Sequence, residues 1–296
     1  MAQARKVEPQ VTDVRTALRE GIARLRAASV PSDALAAELL LMHALGRDRT
    51  WLYSYPETLL EPTTAEDYFA LIARRAGGEP TQYLTGKQEF WGFEFEVNPA
   101  ALIPRPETEH LIEVALERLR THDAPLRIAD VGTGSGCIAV ALARELPRAE
   151  IFATDISAAA LAVAGRNAAR HGVADRIHFI NCDLLSGVAD TDKQFDLIVS
   201  NPPYVARDDA GKLQREVRDH EPDAALFGGR TGVEIYSRLI EEAGSLLRRG
   251  GILVLELGYN SATHVEGLLT EKLGWNNVKI TNDLAGIPRV IAAERT

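Results

Sequence analysis

From residue 127 to residue 256 the chain repeats one alternation, and that alternation limits the folds open to it. Short apolar runs occur at 127–131 (R-I-A-D-V), 150–154 (E-I-F-A-T), 177–181 (I-H-F-I-N), 195–200 (F-D-L-I-V-S) and 251–256 (G-I-L-V-L-E), with stretches of helical period between them. Runs with so little polar interruption suit strands covered on both faces, and helices between strands are the crossovers that parallel pairing requires. The pattern predicts doubly wound α/β organisation. The end of the chain breaks it. N-V-K-I-T-N-D-L-A-G-I-P-R-V-I-A-A-E-R at 277–295 reads as two short strands joined by a turn. No crossover helix fits between them, so their pairing is expected to be antiparallel.

The first part of the chain has a different period. Between about 11 and 77 the apolar residues recur at helical spacing, as in V-T-D-V-R-T-A-L-R-E-G-I-A-R-L, with Ser29, Pro31 and Gly46 placed as start and stop signals. Around W-G-F-E-F-E-V the period changes to alternation, with Gly92 at a turn, which predicts a β-hairpin. The expected division is a small helical recognition domain at 1–78, a hairpin connector at 79–106 and an α/β domain at 107–296. A chain of 296 residues with 46% hydrophobic composition has enough apolar surface for more than one core.

Charge and cysteine content exclude several classes. The formal net charge of −9 argues against a protein whose main task is to coat duplex nucleic acid, so no stable nucleic-acid binding is expected. Cys137 and Cys182 have neither metal-site nor disulfide-framework spacing, and the histidines have no ligand spacing; no metal is expected. The first thirty residues lack the apolar core of a signal peptide, and no stretch approaches eighteen uninterrupted apolar residues. The expectation is a soluble cytoplasmic protein that does not enter a membrane.

The candidate chemistry lies at the strand ends. I-A-D-V-G-T-G-S-G-C places Gly132, Gly134 and Gly136 where the backbone must turn tightly and approach a ligand. Their spacing is G-x-G-x-G, with Cys137 where a dinucleotide fingerprint would have its last glycine, and Asp130 precedes them. A carboxylate there repels a pyrophosphate and attracts an amine, favouring a cofactor without phosphates. Asp155, closing the next strand, can accept hydrogen bonds from both hydroxyls of a ribose. Asp183, after the third, can accept from the exocyclic amine of an adenine lying on Ile156 and Leu184. Together the carboxylates fit S-adenosylmethionine, with Asp130 at the methionine end, Asp155 at the ribose and Asp183 at the base.

The run F-D-L-I-V-S then ends in N-P-P-Y at 201–204. Pro202 has no N–H and offers only a carbonyl, while Pro203 restricts it to an extended conformation. With the side-chain carbonyl of Asn201, that loop can accept both hydrogens of a planar NH2 group, and Tyr204 supplies a flat face beside it. The predicted chemistry is methyl transfer to a weakly basic planar nitrogen, governed by alignment rather than by a general base. Arg105, between two prolines, is placed for a substrate or domain-orienting contact or for surface pairing. Phe90, Trp91 and Phe93 are expected to pack rather than to line a channel. At least one of Glu107 and Glu109 is expected to cap the helix that follows them.

The stretches N-P-P-Y, D-V-G-T-G-S-G, L-I-P-R-P-E-T-E at 102–109, Q-Y-L-T-G-K-Q-E-F-W-G at 82–92 and E-P-x-x-A-L-F-G-G at 221–229 resemble the bacterial release factor glutamine methyltransferases over nearly the full chain. The resemblance implies a class I S-adenosylmethionine-dependent methyltransferase fold, a Rossmann-like seven-stranded sheet with its last strand antiparallel, behind a helical N-terminal domain. It implies methylation of the glutamine amide in the G-G-Q motif of class 1 peptide chain release factors, by a monomer. Asn201 and Pro202 would bind that amide with Pro203 and Tyr204 beside it. Asp155 would hold the ribose, and the loop of Gly132, Thr133, Gly134 and Gly136 would surround the methionine portion. In one departure, Asn260 stands where many members carry glutamine. Methylation of a ribosomal protein glutamine, or of the exocyclic amine of adenine, remains open at this point, as does a cofactor-binding module without catalysis.

Overall fold

The computed structural model describes residues 12–119, 125–188, 194–271 and 274–296, and these form two compact units. The smaller unit takes the described residues up to Gly86 together with Gln214–His220; the larger takes Lys87–Leu213 and Glu221–Thr296. The division differs from the expected one, beginning with the boundary, which falls after Gly86 and not after residue 78. The hairpin joins the larger unit instead of standing as a separate connector, and a short segment far along the chain completes the smaller one.

The helical period of the N-terminal region produces α1 (Val14–Ala27), α2 (Asp33–Leu45), α3 (Arg49–Ser54), α4 (Pro62–Ala76) and α5 (Thr81–Thr85). Asp13 and Asp48 start α1 and α3 by accepting from Thr16 N and Trp51 N, each at 2.7 Å. Gly46 stops α2 in the left-handed conformation that glycine adopts without strain. The apolar faces meet in a core of Leu25, Leu40, Leu41, Leu52, Tyr68 and Ile72. Gly21 has no side chain because the Tyr68 ring occupies that space.

The larger unit begins with β1 (Lys87–Phe90) and β2 (Phe93–Glu96), paired antiparallel. It continues with α6 (Glu109–Leu119), β3 (Arg127–Val131), α7 (Cys137–Glu145), β4 (Glu150–Asp155), α8 (Ala158–Arg170), β5 (Ile177–Asn181) and β6 (Phe195–Ser200). After α9 (Arg215–His220), which belongs to the smaller unit, come α10 (Asp223–Leu226), α11 (Glu234–Leu246), β7 (Leu247–Glu256), α12 (Ala262–Glu271), β8 (Trp275–Asn282) and β9 (Pro288–Arg295). Among the described residues seven strands form one sheet in the order β5-β4-β3-β6-β7-β9-β8, with β9 antiparallel to both neighbours. The unusual finish read from the sequence is therefore present.

Alternation along the strands sends successive side chains to opposite faces. Ile128, Ile151, Leu197, Val199 and Val254 pack with α6, α7 and the hairpin. Ala129, Val131, Ile198, Leu253 and Leu255 pack with α11 and α12. Phe90 and Phe95 are buried edge to face at 6.1 Å, and Trp91 and Phe93 pack against the same core, as their alternating context suggested.

One buried side chain holds the second strand of the hairpin. Asn167 on α8 accepts from Glu96 N at 2.7 Å and donates to Glu96 O at 3.0 Å and to Ser135 O at 2.9 Å. It therefore joins β2 to the loop after β3. Asn167→Ala strands those backbone groups in a buried place, and we expect a loss of about 3 kcal/mol in unfolding free energy. Urea denaturation of the variant against the wild type measures this.

Candidate active site

Pairing of β3 with β6 sets Val131 beside Ser200, and the Ser200 hydroxyl donates to Val131 O at 2.7 Å. The residues that follow each strand, Gly132 and Asn201, consequently leave the sheet side by side. This is where the strand order reverses, the position at which open α/β sheets bind ligands. A cavity of about 380 Å³ opens there, within the range of small-molecule sites. Its lining includes Gly132, Thr133, Gly134, Asp155, Ile156, Asp183, Asn201, Pro203 and Arg105 from the sequence reading. One continuous space thus runs past the ends of four parallel strands.

The glycine loop is held from below and from the side. Gly132 N and Thr133 N both donate to Thr154 O at 2.9 Å. Gly134 N and Ser157 N donate to the two carboxylate oxygens of Asp155, at 2.9 and 2.8 Å. Each oxygen keeps a further lone pair with which to accept. Burial raises the Asp155 pKa against those hydrogen bonds.

Several expected residues stand elsewhere. Asp130 does not line the cavity: it is fully buried, and its Oδ2 accepts from the Thr133 hydroxyl at 2.6 Å and from Ala139 N at 3.1 Å. Strand alternation turns it beneath the first turn of α7, whose N-cap Gly136 has no side chain to cap it. Asp130 braces the loop instead of meeting the cofactor amine. Burial pushes its pKa to about 7. Gly136 also faces away, since a Cβ there would lie 2.9 Å from Ala164 Cβ, so it serves the packing of α7 on α8. Asp183 reaches the cavity with one oxygen held by Arg238 at 2.6 Å.

In N-P-P-Y, Asn201 and Pro203 line the cavity and Pro202 is buried behind them. The Tyr204 ring packs against Gly258, where any Cβ would collide with it, and burial pushes the phenol to about 12. Gly228 and Gly232 allow the segment 228–232 to pass over the carbonyls of Pro203 and Tyr204. Glu234 pins that segment by accepting from Thr231 N at 2.9 Å and Val233 N at 3.1 Å, which lowers its pKa to about 2.

Sequence reasoning missed several walls. Ala224, Ala225 and Phe227 close one side of the cavity and Leu102 and Pro104 contribute on the connector side. The buried Glu221 carboxylate pairs with Arg105 and accepts from Ile103 N at 3.2 Å, so Arg105 is both a lining residue and half of a structural ion pair. The stretches 102–109 and 221–229 carried only a resemblance, because nothing in their local pattern says that they meet. Glu109, expected as a cap, accepts from Trp91 N at 2.7 Å and ties the hairpin turn to α6. Asn260 takes a φ of 65°, a left-handed conformation that asparagine tolerates better than most residues. Among the described residues no group of His, Cys, Asp and Glu is gathered as a metal site requires, and no helix is long and apolar enough to cross a membrane.

Residues 16–86 match the PrmC N-terminal domain family and residues 110–217 match the methyltransferase small domain family. The release factor glutamine methyltransferase of Koribacter versatilis (strain Ellin345) is 47% identical over 282 residues, 95% of this chain and 98% of that protein. The enzyme of that name from Nitratidesulfovibrio vulgaris is 45% identical over 279 residues, covering 94% of each. The chain belongs to the release factor glutamine methyltransferase family. The fold also resembles the hMettl16 catalytic domain solved in complex with MAT2A 3'UTR hairpin 1, at a TM-score of 0.58 and 19% identity over 76% of this chain and 80% of that one. At that identity the likeness concerns the fold, whereas membership of the release factor glutamine methyltransferase family rests on both halves of the chain.

The buried Asp130 carries a pH signature. Its usual pKa of 3.8 is raised to about 7 in the folded chain, so the folded state holds a proton that the unfolded state releases between those values. That stability is present below about pH 4 and is lost as pH rises through 7. Asp130→Asn keeps an acceptor for Thr133 and Ala139 without the titration. Measured by urea unfolding from pH 5 to 7.5, the variant should gain roughly 2–4 kcal/mol relative to the wild type.

Proposed function

We propose that this protein transfers a methyl group from S-adenosylmethionine to the side-chain amide nitrogen of the glutamine in the G-G-Q motif of class 1 peptide chain release factors. The observation that carries the reading is that Asp155, Asp183, Asn201 and Pro203, which follow or close parallel strands of one sheet, line the same cavity. When bound, S-adenosylmethionine supplies an electrophilic methyl group carried on sulfonium sulfur. The donor set fits it: Asp155 for the ribose, Asp183 and Ile156 for the base, and bare loop backbone for the methionine part.

On the acceptor side, an amide nitrogen has almost no basicity, so a general base would gain little before the methyl arrives; as the N–C bond forms and the methyl–sulfur bond breaks, the nitrogen becomes acidic and its proton passes to the loop acceptors or to water. The residues act by placement. Asn201 Oδ1 accepts one hydrogen of the substrate NH2, and the rigid Pro202–Pro203 backbone offers a second acceptor. The apolar walls from Pro104, Ala225 and Phe227 displace water that would compete for those hydrogens. Arg105, held by Glu221, borders the entrance for the substrate chain. The helical unit would take the body of the release factor, and the enzyme would act as a cytoplasmic monomer.

The test is transfer of labelled methyl to a class 1 release factor, with and without replacement of its G-G-Q glutamine, beside a large-subunit ribosomal protein and adenine-containing DNA. Label on the intact factor alone is expected; label only on a rival acceptor overturns the substrate. Asn201→Ala should cut turnover by roughly two to three orders of magnitude with cofactor affinity nearly intact. Asp155→Ala should instead weaken cofactor binding by about tenfold to a hundredfold in calorimetry. Full turnover in the Asn201 variant would assign the residue a structural role.

A further inference from the structure

An asparagine that must present an acceptor has a difficulty of its own, because its amide is equally stable turned by 180°, with Nδ2 where Oδ1 is needed. Two NH2 groups facing each other would repel the substrate nitrogen from the site. In the structure Asn201 Nδ2 donates to the hydroxyl oxygen of Thr108 at 3.2 Å. Thr108 is 2% exposed and closes the short 3₁₀ turn Pro106–Thr108, so it has little freedom to move.

A hydroxyl can accept and donate, and would by itself tolerate either orientation of the amide. Its other neighbour removes that freedom. Glu256, the last residue of β7, is 3% exposed, and its Oε2 has no hydrogen-bond partner. Burial, with Glu107, pushes this carboxyl up to about 7 against the Thr108 hydroxyl, Arg289 and Arg105, which favour its ionised form. Tyr204 also faces it. Above that pH the carboxylate is acceptor only, so it favours the Thr108 rotor whose hydrogen turns toward Glu256 and whose lone pair faces Asn201 Nδ2.

We propose that Thr108, backed by Glu256, is a positioning residue that locks the Asn201 amide with Oδ1 toward the substrate and so makes the site selective for an NH2-bearing group. The inference rests on the reading of Asn201 as the substrate contact. It also gives a reason for the turn Pro106–Thr108 to lie beside Asn201 at the end of β6: the turn carries the hydroxyl that orients the acceptor.

The experiment uses the full chain with a release factor as substrate. Thr108→Val keeps the shape and removes both hydrogen-bonding roles. Its kcat should fall roughly tenfold to a hundredfold, with KM for the release factor and calorimetric affinity for S-adenosylmethionine unchanged. Thr108→Ser should restore kcat, since it returns the hydroxyl alone. Should the valine variant fail to fold, Thr108→Ala is measured in its place. Wild-type kcat without the hydroxyl overturns the proposal. A serine variant as impaired as the valine one, or a loss of cofactor affinity equal to the loss of kcat, overturns it in favour of a packing role. Glu256→Gln, whose amide can donate as well as accept, should lower kcat in the same direction; an unchanged kcat removes Glu256 from the relay. Full turnover by Asn201→Ala overturns instead the reading of Asn201, whatever the Thr108 variants do.

Discussion

The parallel ladder between β3 and β6 is the constraint on which the rest of the site depends. These strands are far apart in sequence, yet their register places Asp130 against Val199 and Val131 against Ser200. The glycine loop and the N-P-P-Y loop, which emerge from adjacent strand ends, need no further device to bring them together. A slip of register would separate them by a residue and turn their side chains to the opposite faces. The buried apolar residues on both faces of the sheet therefore hold the geometry of the chemistry as well as the fold.

Around that ladder the structure supplies fixed polar partners for groups that would otherwise be free. Thr154 O takes two loop N–H groups, Asp155 takes two more, and Asp130 caps α7 from beneath. A loop so fully bonded has little reorganisation left to undergo when a ligand arrives. The same reasoning applies to the acceptor side, where two prolines replace hydrogen bonds as the source of rigidity.

Much of this was legible in the chain. Period distinguished the helical region from the α/β region, and strand ends pointed to Asp155, Asp183 and Asn201. The failures have physical causes. Asp130 was assigned to the ligand because it adjoins the glycines, although β3 alternation puts it on the α7 side. Gly136 was counted with the ligand-facing glycines, although the helix it starts needs it for close packing. Glu221, Arg238 and Glu256 gave no local signal, since a buried or bridging role exists only once distant segments meet. The extent of the helical unit was illegible for the same reason: nothing in Q-R-E-V-R-D-H says that Glu216 pairs with the buried Arg75.

That pairing has a consequence for how the protein can be taken apart. The smaller unit is closed by α9, which the chain supplies only after it has passed through six strands of the larger one. A fragment ending at residue 86 keeps the buried Arg75 guanidinium and loses its carboxylate. A fragment beginning at 87 carries an orphaned helix whose partner surface is gone. Neither piece is an independent cassette, so fusion, transplantation or recombination at the visible boundary would break both halves at once. The chain path makes each unit depend on where the other is cut, even though each has its own core.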